Sequence, residues 1–367
     1  MQCRIEQRVL PLRRPFTSSG WTINERNILL FSVHSASGAS IGWGEAAPLQ
    51  VFGTESLDTC RNALRELTLR LSSFTDPGSL KEIEEVLDGC PELRKVPTAR
   101  FAVETALLDL YARTLDVTLS NVLGGNRRRV RLPVNTVIGA GDVDATVSAA
   151  TAAWARGYRC VKLKVGSGEL EEDIVRIRGI RQNLPPELRL RLDANGAWEF
   201  NLAEEALREF ALYDIEYIEQ PVPEEELDEL AALTALSIIP VAADESAQHL
   251  DQARALMDRH AVDLFILKPM VSGGLLPSRR FALEAQERGF EVVFTSLLDS
   301  SVGRHAVAQL CASLPVSDRA QGLATGTLFL EDTHRDHIVD GMFMLPDSPG
   351  LGIAPGPGAV GKDVERV

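Results

Sequence analysis

One feature narrows the fold of this chain more than any other. From about residue 131 onward, short β-branched runs alternate with longer amphipathic segments at a steady spacing. The runs "LPVNTVIG" (132–139), "CVKLKVG" (160–166), "LRLRLDAN" (188–195), "IEYIEQP" (215–221), "IPVAADE" (239–245), "LFILKP" (264–269), "EVVFTS" (291–296) and the weaker "AQGLAT" (320–325) read as strands. Between them, segments such as "ELEEDIVRIRGIRQNL" and "SRRFALEAQERGF" repeat apolar residues three and four apart with charges between, the pattern of surface helices. Strand-helix units in this regular succession favour parallel strands, and eight of them favour a closed (β/α)7β TIM-like barrel over 131–325 rather than an open sheet.

The first 130 residues follow another pattern. "RIEQRVLPLRRPF" and "RNILLFSVHSASGASIGWGEAAP" predict antiparallel strands with a turn at "SASGAS", and helices follow at 55–72, 78–88 and 97–115. This is an α+β capping domain over 1–130, and the tail from 326 to 367 is expected to pack back on it.

Composition excludes several partners. A net charge of −14 opposes nucleic acid and anionic membrane. The five cysteines are odd in number, widely spread and never spaced as CxxC, which disfavours a disulfide framework or a zinc knuckle. With no apolar leader at the start and no apolar run long enough to span a bilayer, the expected location is the cytoplasm. The protein is expected to act there as a monomer or homo-oligomer. "GAGDVD" (139–144) lacks the third glycine of a dinucleotide fingerprint, and His334 and His337 in "HRDH" read as a surface pair.

In a β/α barrel the reactive groups sit at the C-terminal ends of the strands. There the second strand carries Lys162 and Lys164, which share one face, while Val161, Leu163 and Val165 share the other. The third ends in Asp193 and Asn195, the fourth in Glu219, the fifth in Asp244 and Glu245, and the sixth in Lys268 before Pro269. Singly these have ordinary explanations: lysine pairs decorate solvated edges, and Asp or Glu in such places form turns and helix caps. Caps do not require acids at equivalent places on three consecutive strands with lysines on both sides. Three buried carboxylates are costly by repulsion and desolvation unless a cation joins them. Oxygen ligands with room for water and substrate suit octahedral Mg²⁺, and the absence of His or Cys from these strand ends disfavours zinc. If a small substrate binds such a cation through a carboxylate, loss of a proton from the carbon beside it gives an enediolate whose extra charge the cation stabilises. A lysine beside the cation has a lowered pKa and can act as the base.

The set "VKLKVG", "RLDANGAW", "EYIEQP", "VAADES" and "ILKPMVSGGL" resembles the enolase superfamily, in particular its muconate-lactonising subgroup, in order, wording and spacing over nearly the whole chain. The resemblance implies Mg²⁺ on Asp193, Glu219 and Asp244, with Mn²⁺ as a substitute. It makes Lys164 and Lys268 the acid/base pair and Lys162 the electrostatic aid to Lys164, with Asn195, Glu245 and Arg191 supporting the site from behind. The stretches "RRPFTSSGWTINERNILLFSV" and "FTSLLDSSVGRHAVAQL" followed by "AQGLATGTLF" are similar to the o-succinylbenzoate synthases of that subgroup. That similarity implies a lyase of menaquinone biosynthesis that dehydrates 2-succinyl-6-hydroxy-2,4-cyclohexadiene-1-carboxylate, with Thr295 and Gly322 touching the succinyl arm. An N-acylamino acid racemase, a muconate-type cycloisomerase or a dipeptide epimerase would use the same residues. The DxD that dipeptide epimerases of the subgroup carry on the eighth strand is replaced by Gly322, Leu323, Ala324. A Schiff-base aldolase leaves the three carboxylates unexplained, and nothing in the residues favours a non-catalytic barrel.

Overall fold

Alternating apolar residues with turn formers between them make the start of the chain a sheet. The computed structural model describes residues 1–18, 21–72, 74–124, 130–315, 317–356 and 360–366. Its first strands are β1 (Gln2–Ser18), β2 (Trp21–His34) and β3 (Ile41–Ala46), paired antiparallel in that order. The β1–β2 ladder runs in register to Pro11↔Glu25 and resumes at Phe16↔Ile23, so residues 12–15 bulge out of it. Helices α1 (Leu57–Leu71), α2 (Leu80–Asp88) and α3 (Pro97–Thr114) follow, close to the predicted spans. Ser56 and Ser79 cap the first two by accepting hydrogen bonds from the amides of Thr59 and Glu82. Helix α3 lies directly on β3, where the glycines of "IGWGEA" are needed: a Cβ on Gly42 or Gly44 would run into the carbonyls of Ala106 and Ala102.

After the short α4 (Leu119–Val122) and β4 (Arg131–Pro133), the chain enters the barrel. Strands β5 (Thr136–Ile138), β6 (Cys160–Lys164), β7 (Arg189–Asp193), β8 (Ile215–Glu219), β9 (Val241–Ala243), β10 (Leu264–Leu267) and β11 (Glu291–Phe294) pair in parallel in chain order. They alternate with helices α5 (Val143–Ala155), α6 (Leu170–Asn183), α7 (Phe200–Phe210), α8 (Leu227–Ala235), α9 (Leu250–Asp258) and α10 (Leu275–Glu287), and α11 (Ser301–Ser313) follows the last strand. Val161, Leu163, Leu190 and Leu192 are buried on the outward faces and join the large core under the helices. Tyr217, Ala242, Leu264, Ile266 and Val293 form a separate buried cluster.

The eighth strand is shorter than predicted. Only Gln321 and Gly322 pair, with Val134 on one side and Thr295 on the other. The Gln321 amide donates to the Pro133 carbonyl at 2.8 Å and the Gly322 amide to the Phe294 carbonyl at 2.8 Å, which closes the sheet on itself. At Ala324 the chain turns into a 3₁₀ helix ending at Leu328, and the small residues of "GLATG" have little strand propensity to resist it. The predicted first strand, 132–139, is split for a related reason: Pro133 cannot donate to a ladder, so β4 and β5 separate at Val134.

The tail divides its contacts. Strands β12 (Ile338–Val339) and β13 (Met342–Met344) form a hairpin that pairs with β4 through Phe343↔Leu132, whereas β14 (Val360–Arg366) pairs antiparallel with β1. Where the first sheet meets the barrel, the buried guanidinium of Arg26 donates to the carbonyls of Ala47 and Pro48 at 2.6 and 2.9 Å and to those of Leu297 and Leu298 at 3.3 Å each. Among the described residues no helix is long and apolar enough to cross a membrane.

Candidate active site

The register of three neighbouring strands assembles the first part of the site. Lys164, Asp193 and Glu219 are direct partners across β6, β7 and β8, with Lys162, Arg191 and Tyr217 one pleat deeper. Asp244 follows β9 and Lys268 follows β10, so all six predicted metal and acid/base residues meet at one rim. The carboxylates are buried, at 0% exposure for Asp193, 1% for Glu219 and 5% for Asp244.

Each buried carboxylate has an ammonium group on it. Lys162 Nζ lies 2.9 and 3.1 Å from the two oxygens of Glu219 and 2.8 Å from Asp193 Oδ2. Lys164 Nζ donates to Asp193 Oδ2 at 2.7 Å and to Asn195 Oδ1 at 2.6 Å. Lys268 is paired with Asp244, and its Nζ stands 4.2 Å from the centroid of the Phe52 ring, a cation-π contact. Asn195 and Glu245 stand where they can brace these groups. In "DANG" the backbone of Asn195 takes a left-handed conformation, with φ 47°. Its amide nitrogen Nδ2 then donates to Glu245 Oε1 at 2.9 Å while its Oδ1 faces Lys164.

Burial alone would raise Asp193, but Lys162 and Lys164 together hold its carboxyl below the usual carboxylate range. Glu219 is pushed up to about 8, first by burial and then by repulsion from Asp193. Asp244 is also raised, chiefly by burial, against the pull of Lys268. Lys162 is held well above its ordinary value by Asp193 and Glu219, although burial works in the opposite direction.

Among the described residues, no three acidic, histidine or cysteine side chains converge as a ready-made metal cluster. Asp193, Glu219 and Asp244 are each turned towards a lysine instead. A divalent cation nevertheless fits this donor set. The ligands available are all carboxylate oxygens, Glu219 is raised by burial and by repulsion from Asp193, and Glu245 keeps a buried oxygen, Oε2, with no hydrogen-bond partner among the described residues.

The remaining predicted residues are placed differently. Thr295 lines the cavity that holds the lysines, but its hydroxyl donates to the Gly322 carbonyl at 3.1 Å. Gly322 serves the barrel closure and lines a smaller adjoining cavity. Arg191 is not brought to the rim. It is fully buried one layer below, donating to Glu216 at 2.6 Å and to the Ala320 carbonyl at 2.7 Å, with its guanidinium 4.8 Å over the Tyr217 ring.

The cavity has an empty volume of about 600 Å³ including its mouth, and Lys162, Lys164, Lys268, Asp193 and Asp244 line it. Phe16, Trp21, Leu49 and Phe52 reach over it from the first sheet and the loop after β3. A site assembled at a barrel rim under a separate cap, with lysines facing it from two sides and acids between them, is matched by sequence. The model of the enolase C-terminal domain-like family fits residues 145–359.

The chain belongs to the enolase superfamily.

This enolase-superfamily chain is 27% identical over 347 residues to the N-succinyl-L-Arg/Lys racemase of Bacillus cereus, covering 94% of this chain and 92% of the racemase. It is 34% identical over 250 residues, 67% of each chain, to the o-succinylbenzoate synthase of Desulfotalea psychrophila. It also resembles the dipeptide epimerase of Methylococcus capsulatus, solved with Mg and the dipeptide L-Arg-D-Lys. There the TM-score is 0.86 at 28% identity, over 96% of this chain and 99% of the epimerase.

Two features of this superfamily member's site lay outside the residues predicted to act. Gln220, fully buried at φ 42°, accepts at Oε1 from the amides of Asp244 and Ser246 at 3.1 and 3.2 Å and from the Ser246 hydroxyl at 2.9 Å. It holds the loop that carries Asp244, and its place inside "IEQP" was the signal. Phe52 had no such signal, because nothing local says that a loop after β3 will lie on Lys268.

Proposed function

We propose that the protein is a Mg²⁺-dependent lyase of the o-succinylbenzoate synthase type, which removes a proton from the carbon beside a substrate carboxylate. The observation that carries this reading is the pairing of Lys164 and Lys268, from strands on different sides of one cavity, with a row of buried carboxylates between them. Asp193, Glu219 and Asp244 would hold the cation. Once bound, it would compensate the carboxylates that the lysines now neutralise, and it would stabilise negative charge on the substrate carboxylate.

The chain's own groups do the rest. Lys164, as the neutral amine, takes the α-proton as the C–H electrons form the new double bond. It returns that proton to the hydroxyl on the neighbouring carbon, which leaves as water when its C–O bond breaks. Lys268 stays protonated and stabilises the anion from the other side. Lys162 keeps positive charge near Glu219 and Asp193, and Phe16, Trp21 and Phe52 exclude water.

A second reading, racemisation of N-succinylamino acids, is supported by the similarity to the Bacillus cereus racemase over most of both chains. It shares the first step, and Lys268 would then deliver a proton to the opposite face. The deciding assay supplies the Mg²⁺-loaded protein with the cyclohexadiene acid, and separately with N-succinylamino acids in D₂O. Formation of o-succinylbenzoate, lost in Lys164→Ala, is the expected result. Deuterium exchange without dehydration favours the racemase, and neither activity overturns the acid/base reading.

A further inference from the structure

Helix α6 carries two charges on the face where apolar side chains are expected. Ile174, Ile177 and Ile180 turn that face into the core, and beside them Asp173 and Arg176 are only 2% and 4% exposed. Charged side chains are buried this deeply only when specific partners hold them. The two are paired with each other one helical turn apart, and they also hydrogen-bond to backbone groups at the barrel rim, on either side of Lys164.

The end of β6 explains the need. Strand β6 pairs with β7 as far as Lys164↔Asp193, and the Val165 amide still donates to the Asp193 carbonyl at 3.0 Å. Towards β5 the ladder stops one residue earlier, at Leu163↔Ile138, so the Lys164 carbonyl lies beyond it. Arg176 takes that carbonyl: its Nη2 donates to it at 2.7 Å, and its Nη1 stands 3.5 Å from the carbonyl of Gly139, the residue after β5. Two residues on, the chain turns away at Gly166 with φ 79°, and the Gly166 amide donates to Asp173 Oδ2 at 2.7 Å. Asp173 Oδ1 in turn accepts from Arg176. Gly139, Lys164, Val165 and Gly166 line a wide cleft beside the catalytic cavity, so this edge of the rim is open in front and held from behind by α6.

Resting on the acid/base reading above, we infer that Asp173 and Arg176 are positioning residues for the base: as one unit they fix the backbone on both sides of Lys164, and with it the reach of Nζ. Lys162 lies inside the ladder on both sides, opposite Val137 and Arg191, so the effect falls on the upper lysine. Lys268 follows β10, four strands away, and is paired with Asp244. The clip therefore acts on one of the two acid/base groups. A displacement of about 1 Å at a reacting group costs on the order of 100-fold in rate.

The test supplies the Mg²⁺-loaded protein in D₂O with each enantiomer of an N-succinylamino acid, because the two present their α-hydrogens to different lysines. Asp173→Leu/Arg176→Met removes the pair's contacts to the backbone and puts apolar side chains in place of a buried ion pair, a change that is often neutral for stability. The expected result is a loss on the order of 10- to 100-fold in kcat for α-hydrogen loss from one enantiomer only, with KM and the Mg²⁺ requirement within about threefold of wild type. Arg176→Lys, which keeps a charge beside Asp173 without the forked geometry, is expected to give the same asymmetry to a smaller degree. A protein that was merely loosened or partly unfolded would lose both enantiomers in the same proportion. A second readout needs no turnover: acetic anhydride labelling, quantified by peptide mass spectrometry, should show a higher Lys164 to Lys268 ratio in the double variant as the strand end loosens. The inference is overturned if both variants keep the wild-type enantiomer ratio, or if the labelling ratio is unchanged. Absence of α-hydrogen loss from both enantiomers in the wild type counts against the acid/base reading alone, and the labelling ratio still decides whether the pair fixes Lys164.

Discussion

Gln220→Ala separates a positioning role from general packing. The side chain is wholly buried, and its Oε1 is the acceptor for two backbone amides, those of Asp244 and Ser246, while its Nε2 donates to the Val222 carbonyl at 3.0 Å. Removing it leaves two N–H groups without a partner where solvent does not reach. An unsatisfied buried donor costs about 1–3 kcal/mol, and entry of a water into the vacated space offsets part of that, so the expected loss is roughly 2–4 kcal/mol. The same change frees the turn that carries Asp244, and loss of such a supporting hydrogen bond weakens a metal site about 10- to 100-fold. Urea unfolding measures the first effect, and the Mg²⁺ concentration for half-maximal activity measures the second. Gln220→Glu is the control: it keeps an oxygen acceptor of the same shape, so more of the stability returns, but its added charge beside Asp244 still alters the Mg²⁺ response. A Gln220→Ala protein within about 0.5 kcal/mol of wild type, with unchanged Mg²⁺ dependence, would refute the argument.

Other perturbations follow from the same geometry. EDTA should abolish turnover and Mg²⁺ or Mn²⁺ restore it, with Asp193→Asn needing far more metal; EDTA-insensitive activity would eliminate the cation. Arg26→Met removes the donors to four carbonyls across the cap-barrel junction and takes a nearby positive charge from the buried Glu45 and Asp299, so unfolding should become easier by about 3–5 kcal/mol. A thermal melt matching wild type contradicts that. Glu104, on α3, accepts from the Leu276 amide at 2.6 Å at the start of α10, its other oxygen has no partner among the described residues, and burial pushes its pKa from 4.5 up to about 7. Because the folded chain keeps a proton that the unfolded chain loses between those values, this group makes stability fall as pH rises through the window, by about 3 kcal/mol in all. Glu104→Gln should flatten that slope in unfolding experiments from pH 5 to 8, and an identical slope would show that Glu104 is ionised in the fold.

Much of this architecture was legible because it is periodic. A lysine pair two residues apart must share a face, and acids at equivalent places on consecutive parallel strands must meet, so β6 to β10 could be read directly as a rim. What failed was either non-local or dependent on backbone chemistry. The eighth strand shrank to Gln321 and Gly322 because closure needs only enough ladder to join Val134 to Thr295. Arg191, two residues before Asp193, was read as a support behind the site, and one pleat of depth places it in the layer of Tyr217 and Glu216. Phe52 lies on Lys268 through a loop whose path is set by contacts between distant segments, which no local pattern encodes.

The division of labour between the paired lysines also follows from depth. Lys162, the deeper one, touches two carboxylates, Asp193 and Glu219, and is held protonated by them against the cost of burial. A group so held is a poor base and a good fixed charge. Lys164, one pleat nearer the mouth, faces Asp193 and the neutral Asn195 oxygen, and it lines both the catalytic cavity and a wider cleft beside it. A cation held by Asp193 and Glu219 would compete with both lysines for those carboxylates, and of the two it is Lys164 that stands nearer the mouth, where a substrate carbon can meet it. A protein with Lys164→Met and Lys162 intact should therefore leave the α-proton unexchanged in D₂O.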